Sequence, residues 1–497
     1  MSDTDASSRR TRPGRAALAV IGLTVLAFVL RALVVGQSAV YDELYLYRIV
    51  HDHGLGHVFT VVHDTESTPP LYFLLAWVSD QILSDGFLAI KLPSLLLGTA
   101  TVPLVYLLGV RTVGRSAALL GAAIFALAPF DIFYATEGRA YATIAFLSVA
   151  STLALLRMLE DDRRPWAVAF VLATGALLYT HYTAVFVVGA QLAWALWTHR
   201  DKARRLLAAH AVVALAYAPW IPSFIFQSHD SAADRVEALY KLTPASYVRG
   251  LGQAWFGHPF LPLRHVPGRF AGALIGAGLL GGAIVAVLVR LGARSRSRVR
   301  QETVLVFLLA LATPVCALLY TLGPTSVFLP RYMSASIPAA ALAAGAILAA
   351  ARRPVAVAIV SAAVFAGFVT GAVRTVGPDA QRPDFRAAAH ELDHVARPQD
   401  PVVELTIFKG PPAEELGFSF RRPHDYFTSS RPIEPAFARG RRSGRLFIVI
   451  VKEAEAYLQF FGLRQRGFDL VSRHVYPGFQ HVMVLTYVPR TRAAPGK

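Results

Sequence analysis

The chain has little charge and almost no cysteine. Only 16% of its 497 residues are charged, against about 25% in an ordinary soluble domain. With 55% apolar residues and a mean hydropathy of +0.46, that scarcity argues against a purely soluble enzyme and against a disordered or fibrous chain. The single cysteine, Cys316, lies within an apolar run, so no internal disulfide framework and no cysteine-based metal site can form. Acids are the scarcer charge, 32 against 49 basic residues, for a net charge of +17. In a soluble protein that excess would raise nucleic acid as a partner. Here the basic residues sit in short segments between apolar runs, where cytoplasmic positive charge orients a membrane protein, and no nucleic acid is expected.

What the chain does have is a series of apolar runs near the roughly 17–25 residues that span a bilayer. Residues 1–15 are polar and read as a disordered cytoplasmic tail. The run at 16–36 is too long for a signal-peptide core, and no A-x-A site follows it. Further runs fall near 88–110, 116–134, 139–158, 165–181, 183–198, 206–226, 270–291, 303–322, 333–351 and 355–373, which makes eleven expected spans. Basic groups then fall on alternate connections: Arg9/Arg10/Arg12/Arg15, Arg111/Arg115, Arg163/Arg164, Arg200/Lys202/Arg204/Arg205, Arg294/Arg296/Arg298/Arg300 and Arg352/Arg353. The rule for cytoplasmic basic loops places all of them inside. Residues 70–84 (PLYFLLAWVSDQILS) are apolar but short. Counting them as a span would invert the pattern, so they read as a juxtamembrane or re-entrant helix on the outer face.

The outer side then receives a loop at 37–87, short turns at 135–138 and 181–183, a loop at 227–269, and the chain beyond about 374. The expected fold is an all-α polytopic membrane domain over 16–375 with a small extracytoplasmic α/β domain over 376–497. In the latter, DFRAAAHELDHVA (384–396) reads as a helix, and VVELTIF (402–408), RLFIVIV (445–451) and QHVMVLTYV (480–488) as strands. KEAEAYLQFFGLRQRG (452–467) reads as a helix ended by Gly467. ARGRRSGR (438–445) is either a contact for anionic lipid or glycan, or a solvated loop.

Unusual polar groups cluster on this outer side. The first loop, GQSAVYDELYLYRIVHDHGLGHVFTVVHDTESTPPLYF, holds Asp42, Glu43, Arg48, His51, Asp52, His53, His57, His63, Asp64 and Glu66. A carboxylate at Asp42–Glu43, beside the bilayer surface, can deprotonate a hydroxyl acceptor, hold a divalent cation, or merely cap a helix. The turn APFDIFYATEGRAY carries Asp131, Glu137, Arg139 and Tyr141, either functional or simply paired as Glu137–Arg139. His181 stands between Tyr179 and Tyr182, either as a ligand-binding residue or as part of an interfacial belt. Arg331 and Tyr332 open a span. Arg331 either grips a phosphate with its planar fork or snorkels to headgroups. His51, His53, His57 and His63 match no standard zinc spacing.

The ordered set YDE, TPPLYF, GVRTVGRSAALLGA, APFDIFYATEGRAYA, YTHYTAVF, PRYMSASIPAAAL and DFRAAAHEL, over residues 16–400, resembles the GT-C membrane glycosyltransferases. More narrowly, it resembles the bacterial family 39-like, dolichyl-phosphate-mannose–protein mannosyltransferase-like enzymes. The resemblance implies a donor sugar on a polyprenyl phosphate, a lipid, glycan or protein acceptor, and inverting transfer at the outer face of the bacterial cytoplasmic membrane. It maps the catalytic base on Asp42. Substrate-binding candidates are Glu43, Glu66, Glu137, Arg139, Tyr141, His181, Arg331 and Tyr332, with Arg331 first and Arg139 second for the departing phosphate. The sequence departs from the group at Thr68-Pro69-Pro70, where His-Pro-Pro is common; if that histidine serves a metal or the donor phosphate, His63 or His181 could substitute. Metal dependence varies across the group, so no cofactor is assigned, and a divalent cation stays open. A transporter or lipid flippase is the rival class, but such proteins show repeats and charges at mid-membrane. Here the acids gather at one mouth. A non-catalytic scaffold is the third reading.

Overall fold

The computed structural model describes residues 14–39, 41–83, 86–228, 243–256, 300–321, 329–350, 354–405, 414–428 and 432–490. Helices dominate up to residue 395. They are α1 (Arg15–Val35), α2 (Tyr41–Val50), α3 (Leu55–Thr65), α4 (Leu71–Ile82), α5 (Gly86–Thr112), α6 (Arg115–Leu127), α7 (Pro129–Tyr134), α8 (Tyr141–Glu160), α9 (Arg164–Leu178), α10 (Ala184–Thr198), α11 (Ala203–Tyr217), α12 (Ile221–Ser228), α13 (Pro244–Phe256), α14 (Gln301–Thr321), α15 (Ile337–Ala350), α16 (Pro354–Val376) and α17 (Phe385–Val395).

Six stretches among the described residues are long and apolar enough to cross a membrane: Arg15–Val35, Gly86–Thr112, Tyr141–Glu160, Arg200–Ser228, Gln301–Tyr320 and Ala358–Val376. The chain is a multi-pass membrane protein. Helices α6, α9, α10 and α15 are apolar but shorter. Each of the ten expected runs within the described residues therefore has a helical counterpart, and the run at 270–291 lies outside them. One expected run, 116–134, is two helices. The break falls at Ala128, whose extended backbone precedes Pro129, as the steric demand of proline on its predecessor requires.

Helix α4 has twelve residues, a length of about 18 Å, too short for a hydrocarbon core of about 30 Å. It packs with α2 and α3 through Leu46, Val50, Val58, Val62, Tyr72 and Phe73, over Ile90 of α5 and Ala140. Helices α2, α3 and α4 thus fold as a three-helix cap on one mouth of the bundle.

Bundle packing uses small residues where backbones approach. A Cβ on Gly345 of α15 would lie 2.3 Å from the Ala117 carbonyl oxygen and 2.7 Å from the Gly121 nitrogen of α6. Both are backbone atoms that cannot swing away, a small-residue contact typical of membrane helices.

The C-terminal part adds β1 (Pro401–Leu405), β2 (Asp425–Thr428), α18 (Glu434–Ser443), β3 (Leu446–Val451), β4 (Phe468–Tyr476) and β5 (Val482–Pro489). Their order is β2-β1-β3-β5-β4, with β2, β1 and β3 parallel and β5 and β4 antiparallel. One face packs on α17 through Ala388, Ala389 and Leu392, and the other on α18 through Ala436 and Phe437. Coverage on both faces explains why β1 and β3 are nearly unbroken apolar runs. The helix at 384–396 and the three expected strands are present, although residues 406–408 lie outside the described part. Two readings need correction. The segment after β3 is a 3-10 helix, Lys452–Phe461, ended by Gly462 in the left-handed region (φ 53°), not an α-helix running to Gly467. ARGRRSGR is the end of α18, not a loop.

We expect Gly345→Val to cost about 1–3 kcal/mol of stability through overpacking, seen as a lower melting temperature in detergent. Gly22→Ala, which meets nothing within 4 Å, should leave the melting temperature unchanged or slightly raised.

Candidate active site

Helix α2 begins at Tyr41, so Asp42 and Glu43 fall in its first turn, where the positive end of the helix dipole favours carboxylates. Adjacent helical residues point about 100° apart, and the two acids meet different surroundings. Glu43 is fully buried. Its Oε1 accepts the Gly138 N–H at 2.8 Å and lies 3.4 Å from Lys91 Nζ, while Oε2 lies 3.9 Å from Arg382 Nε. Asp42 faces the mouth with its side chain 28% exposed. Its Oδ2 accepts from Arg331 Nη1 at 2.9 Å, and Oδ1 lies 3.7 Å from Arg139 Nη2.

Arg139, in the connection from α7 to α8, also donates to Glu66 Oε2 at 3.1 Å and lies over the Phe73 ring. Glu137 turns the other way, to Arg382 Nη2 at 3.6 Å. A Glu137–Arg139 side-chain pair, the bland reading of that turn, is not formed: each has another partner. Four carboxylates (Asp42, Glu43, Glu66, Glu137) thus interlock with four cations (Lys91, Arg139, Arg331, Arg382). Buried charges persist only when so paired.

Aromatic groups wall the mouth. The Arg331 guanidinium lies 5.7 Å from the Tyr141 ring centroid, and His181 sits between Tyr141 and Tyr332, at 6.2 and 5.9 Å between centroids. The Thr183 N–H donates to His181 Nδ1 at 3.2 Å, so the neutral ring carries its proton on Nε2. Burial, helped by Arg331, pushes the His181 pKa down to about 4, and the ring stays neutral at physiological pH.

The carboxyl groups are tuned apart. Burial by itself would raise Asp42, but Arg139 and Arg331 outweigh it and hold the carboxyl below its ordinary value of 3.8. Burial raises Glu66 despite Arg139, and pushes Glu137 up to about 7 despite Arg382. Two guanidinium donors of this cluster are unmatched: Nε of Arg139 and Nε of Arg331 are buried without a hydrogen-bond partner. Two guanidiniums with unmatched, desolvated N–H groups thus stand beside a partly exposed carboxylate, a donor set whose chemistry suits an anion.

All nine candidate residues from the sequence gather here or in the layer beneath. His63 does not: its Nδ1 is 2.8 Å from Ser223 and its ring stacks on Phe226. His51 pairs with Asp80 at 3.1 Å and His53 stacks on His57; the four loop histidines do not converge. Lys91 and Arg382 were missed. Lys91 had a signal, a lone charge inside the apolar run FLAIKLPSLLL, which marks a functional or paired group. Arg382 had none, since nothing local links residue 382 to residues 43 and 137. Each carboxylate already faces an ammonium or guanidinium group, and no three His, Cys, Asp or Glu side chains come together among the described residues.

Residues 67–226 match the family model of dolichyl-phosphate-mannose-protein mannosyltransferases. The fold is similar to ArnT from Cupriavidus metallidurans bound to undecaprenyl phosphate, with a TM-score of 0.52 at 15% identity over 96% of this chain and 99% of that one. It is also similar to the Archaeoglobus fulgidus oligosaccharyltransferase in complex with Zn and sulfate, with a TM-score of 0.52 at 13% identity over 86% and 67% of the two chains. A third similar structure is AglB of the same organism with an inhibitory peptide and a dolichol-phosphate, with a TM-score of 0.51 at 12% identity over 97% and 75%. No curated protein sequence matches the chain. At these identities the likeness is one of fold, and that fold is GT-C.

Arg382→Met should destabilise the protein by about 3–5 kcal/mol, because Glu43 and Glu137 lose their shared cation while buried. Adding Glu137→Gln should recover part of the loss. Thermal unfolding of the single and double variants in one detergent would measure both.

Proposed function

We propose that the chain transfers a sugar from a polyprenyl-phosphate donor to a hydroxyl acceptor at the outer face of the cytoplasmic membrane, with inversion at the anomeric carbon. The observation that carries this reading is the Asp42 carboxylate bridging Arg139 and Arg331, whose Nε–H groups are buried without an acceptor. The family-model match and the polyprenyl phosphates bound by proteins of the same fold support the donor class.

The chemistry follows from the geometry. The donor phosphate carries the negative charge that the two guanidiniums can accept. As it takes hydrogen bonds from Arg331, Asp42 loses part of that arginine's pull and becomes a stronger base. Asp42 takes the acceptor's O–H proton while that oxygen forms a bond to the anomeric carbon. The bond from that carbon to the phosphate oxygen breaks, and its electron pair leaves with the polyprenyl phosphate. Arginines already in place stabilise the charge building on the leaving group without reorganising. Glu66 fixes Arg139 from behind, and neutral His181, with Tyr141 and Tyr332, offers a ring wall with one Nε2–H donor. The basic connections belong on the cytoplasmic side in this proposal, with eleven spans and the C-terminal part outside.

Asp42→Asn should leave folding intact and reduce transfer about 10²–10⁴-fold. Consumption of radiolabelled polyprenyl-phosphate sugars by membranes carrying either form tests this, and full activity in the variant would remove Asp42 as the base.

The pH profile has a determined sign. A lowered pKa keeps Asp42 ionised to lower pH, so the acid limb of kcat/KM should lie below 3.8. Arg331→Gln should move that limb upward, because the carboxylate loses a neighbouring positive charge. For orientation, a C-terminal alkaline phosphatase fusion should be active; an inactive fusion would overturn the topology.

A further inference from the structure

The C-terminal part reaches back to the first residue of the helix that carries Asp42. Glu415 Oε1 accepts the Tyr41 backbone N–H at 2.9 Å. Tyr41 is the first residue of α2, and the first N–H groups of a helix have no acceptor within it. A carboxyl oxygen there satisfies an orphan donor. It is supplied from 374 residues away along the chain.

The loop that carries Glu415 is held firmly. Glu404 on β1, with its side chain fully buried, accepts the Leu416 N–H at 3.1 Å and the Tyr426 hydroxyl. Glu414 has φ 50°, in a region costly for a residue with a side chain and maintained only where surroundings fix it. Phe418 sets its ring edge-on to Tyr47 of α2 and Phe87 of α5, with the Arg48 guanidinium 5.0 Å from its centroid. The Arg48–Glu414 pair at 3.3 Å is about one-third exposed on both sides, and contributes little by itself. A continuous path therefore runs from β1 through Glu404, the 414–416 loop and Glu415 to the backbone one residue before Asp42.

We infer that Glu415 is a positioning residue: it caps the α2 N-terminus across the two parts of the molecule and so fixes the placement of Asp42. The C-terminal part is on this view a component of the catalytic unit and not only an outer binding module. Burial pushes the Glu415 carboxyl up to about 8, yet a protonated carboxyl still presents a carbonyl oxygen to the Tyr41 N–H. The bond needs an acceptor, not a charge, so glutamine should replace the residue and alanine should not.

The activity arm of the test rests on the proposed transferase reading; the backbone arm does not. Full-length wild type, Glu415→Ala and Glu415→Gln would be compared in detergent by hydrogen exchange of peptides covering residues 41–48 and by turnover of radiolabelled polyprenyl-phosphate sugars. In Glu415→Ala, exchange at the start of α2 should quicken about fivefold, the size of a lost cap. Turnover should fall about tenfold with donor KM changed less than about twofold, because a misplaced base lowers kcat without removing donor contacts. Glu415→Gln should match wild type in both. If Glu415→Ala fails to accumulate, Glu415→Asp, one methylene shorter, serves as the weakened cap. Unchanged exchange in the alanine or aspartate variant would overturn the inference, as would a glutamine variant as defective as alanine. A wild type that turns over no donor would refute the transferase reading while leaving the exchange comparison to decide the cap.

Discussion

The structure depends on one electrostatic constraint: acids placed at the mouth of an apolar bundle must be neutralised on the spot. Glu43 and Arg382 have side chains at most 1% exposed, and an isolated charge so placed costs several kcal/mol. Glu43 therefore gathers Lys91 from α5, Arg382 from the segment after α16 and the Gly138 N–H from the α7–α8 connection. Three distant parts of the chain are thereby fixed around the start of α2. The same network leaves Asp42, one residue earlier, at the mouth and 28% exposed between Arg139 and the more exposed Arg331.

This division of labour explains how two adjacent carboxylates serve different ends. Glu43 is a buried anchor whose loss would leave Lys91 without a counter-charge and Arg382 with Glu137 alone. Asp42 is held less tightly, because Arg331 is 31% exposed and the more buried Arg139 has Glu66 as a second partner. On the proposed transferase reading, an incoming phosphate displaces Asp42 from Arg331 without stranding any buried charge. That is the property the proposed base needs if donor arrival is to release it.

Much of this was legible in the sequence, and the rest was not for physical reasons. Span-like runs were readable because apolar length is a local property, and the alternating basic connections added a second, independent count. The outer cluster was readable because acids are so scarce elsewhere. The pairing was not. Glu137 and Arg139 look like natural partners two residues apart, but the turn holding them sends one inward to Arg382 and the other outward to Asp42 and Glu66. Ion pairs that span 73 or more residues, such as Arg139–Glu66, leave no local trace. In the C-terminal part the buried strands β1 and β3 were visible as apolar runs. The edge strand β4, FDLVSRHVY, has mostly exposed side chains and no such signal. The 3-10 segment after β3 was mistaken for an α-helix because its composition suits one, and Gly462 ends it earlier than Gly467 would.

Docking of the C-terminal part follows from the same constraint. Arg382 enters the charge network from the stretch that leads into this part, and its backbone N–H donates to Gln37 at 2.8 Å. Asp384 caps α17 at Ala387 while accepting from Ser38, and Arg386 donates to the Gly36 carbonyl. The end of α1 and the start of α17 are thus stitched together within a few residues of Asp42. A tethered domain that only recruited a partner would gain nothing from contacts so close to the site. One whose first segment supplies a buried counter-charge, and whose 414–418 loop grips α2, cannot be shifted without moving Glu43 or Tyr41. The geometry of the site and the seating of the C-terminal part are therefore one problem, solved by the same few side chains.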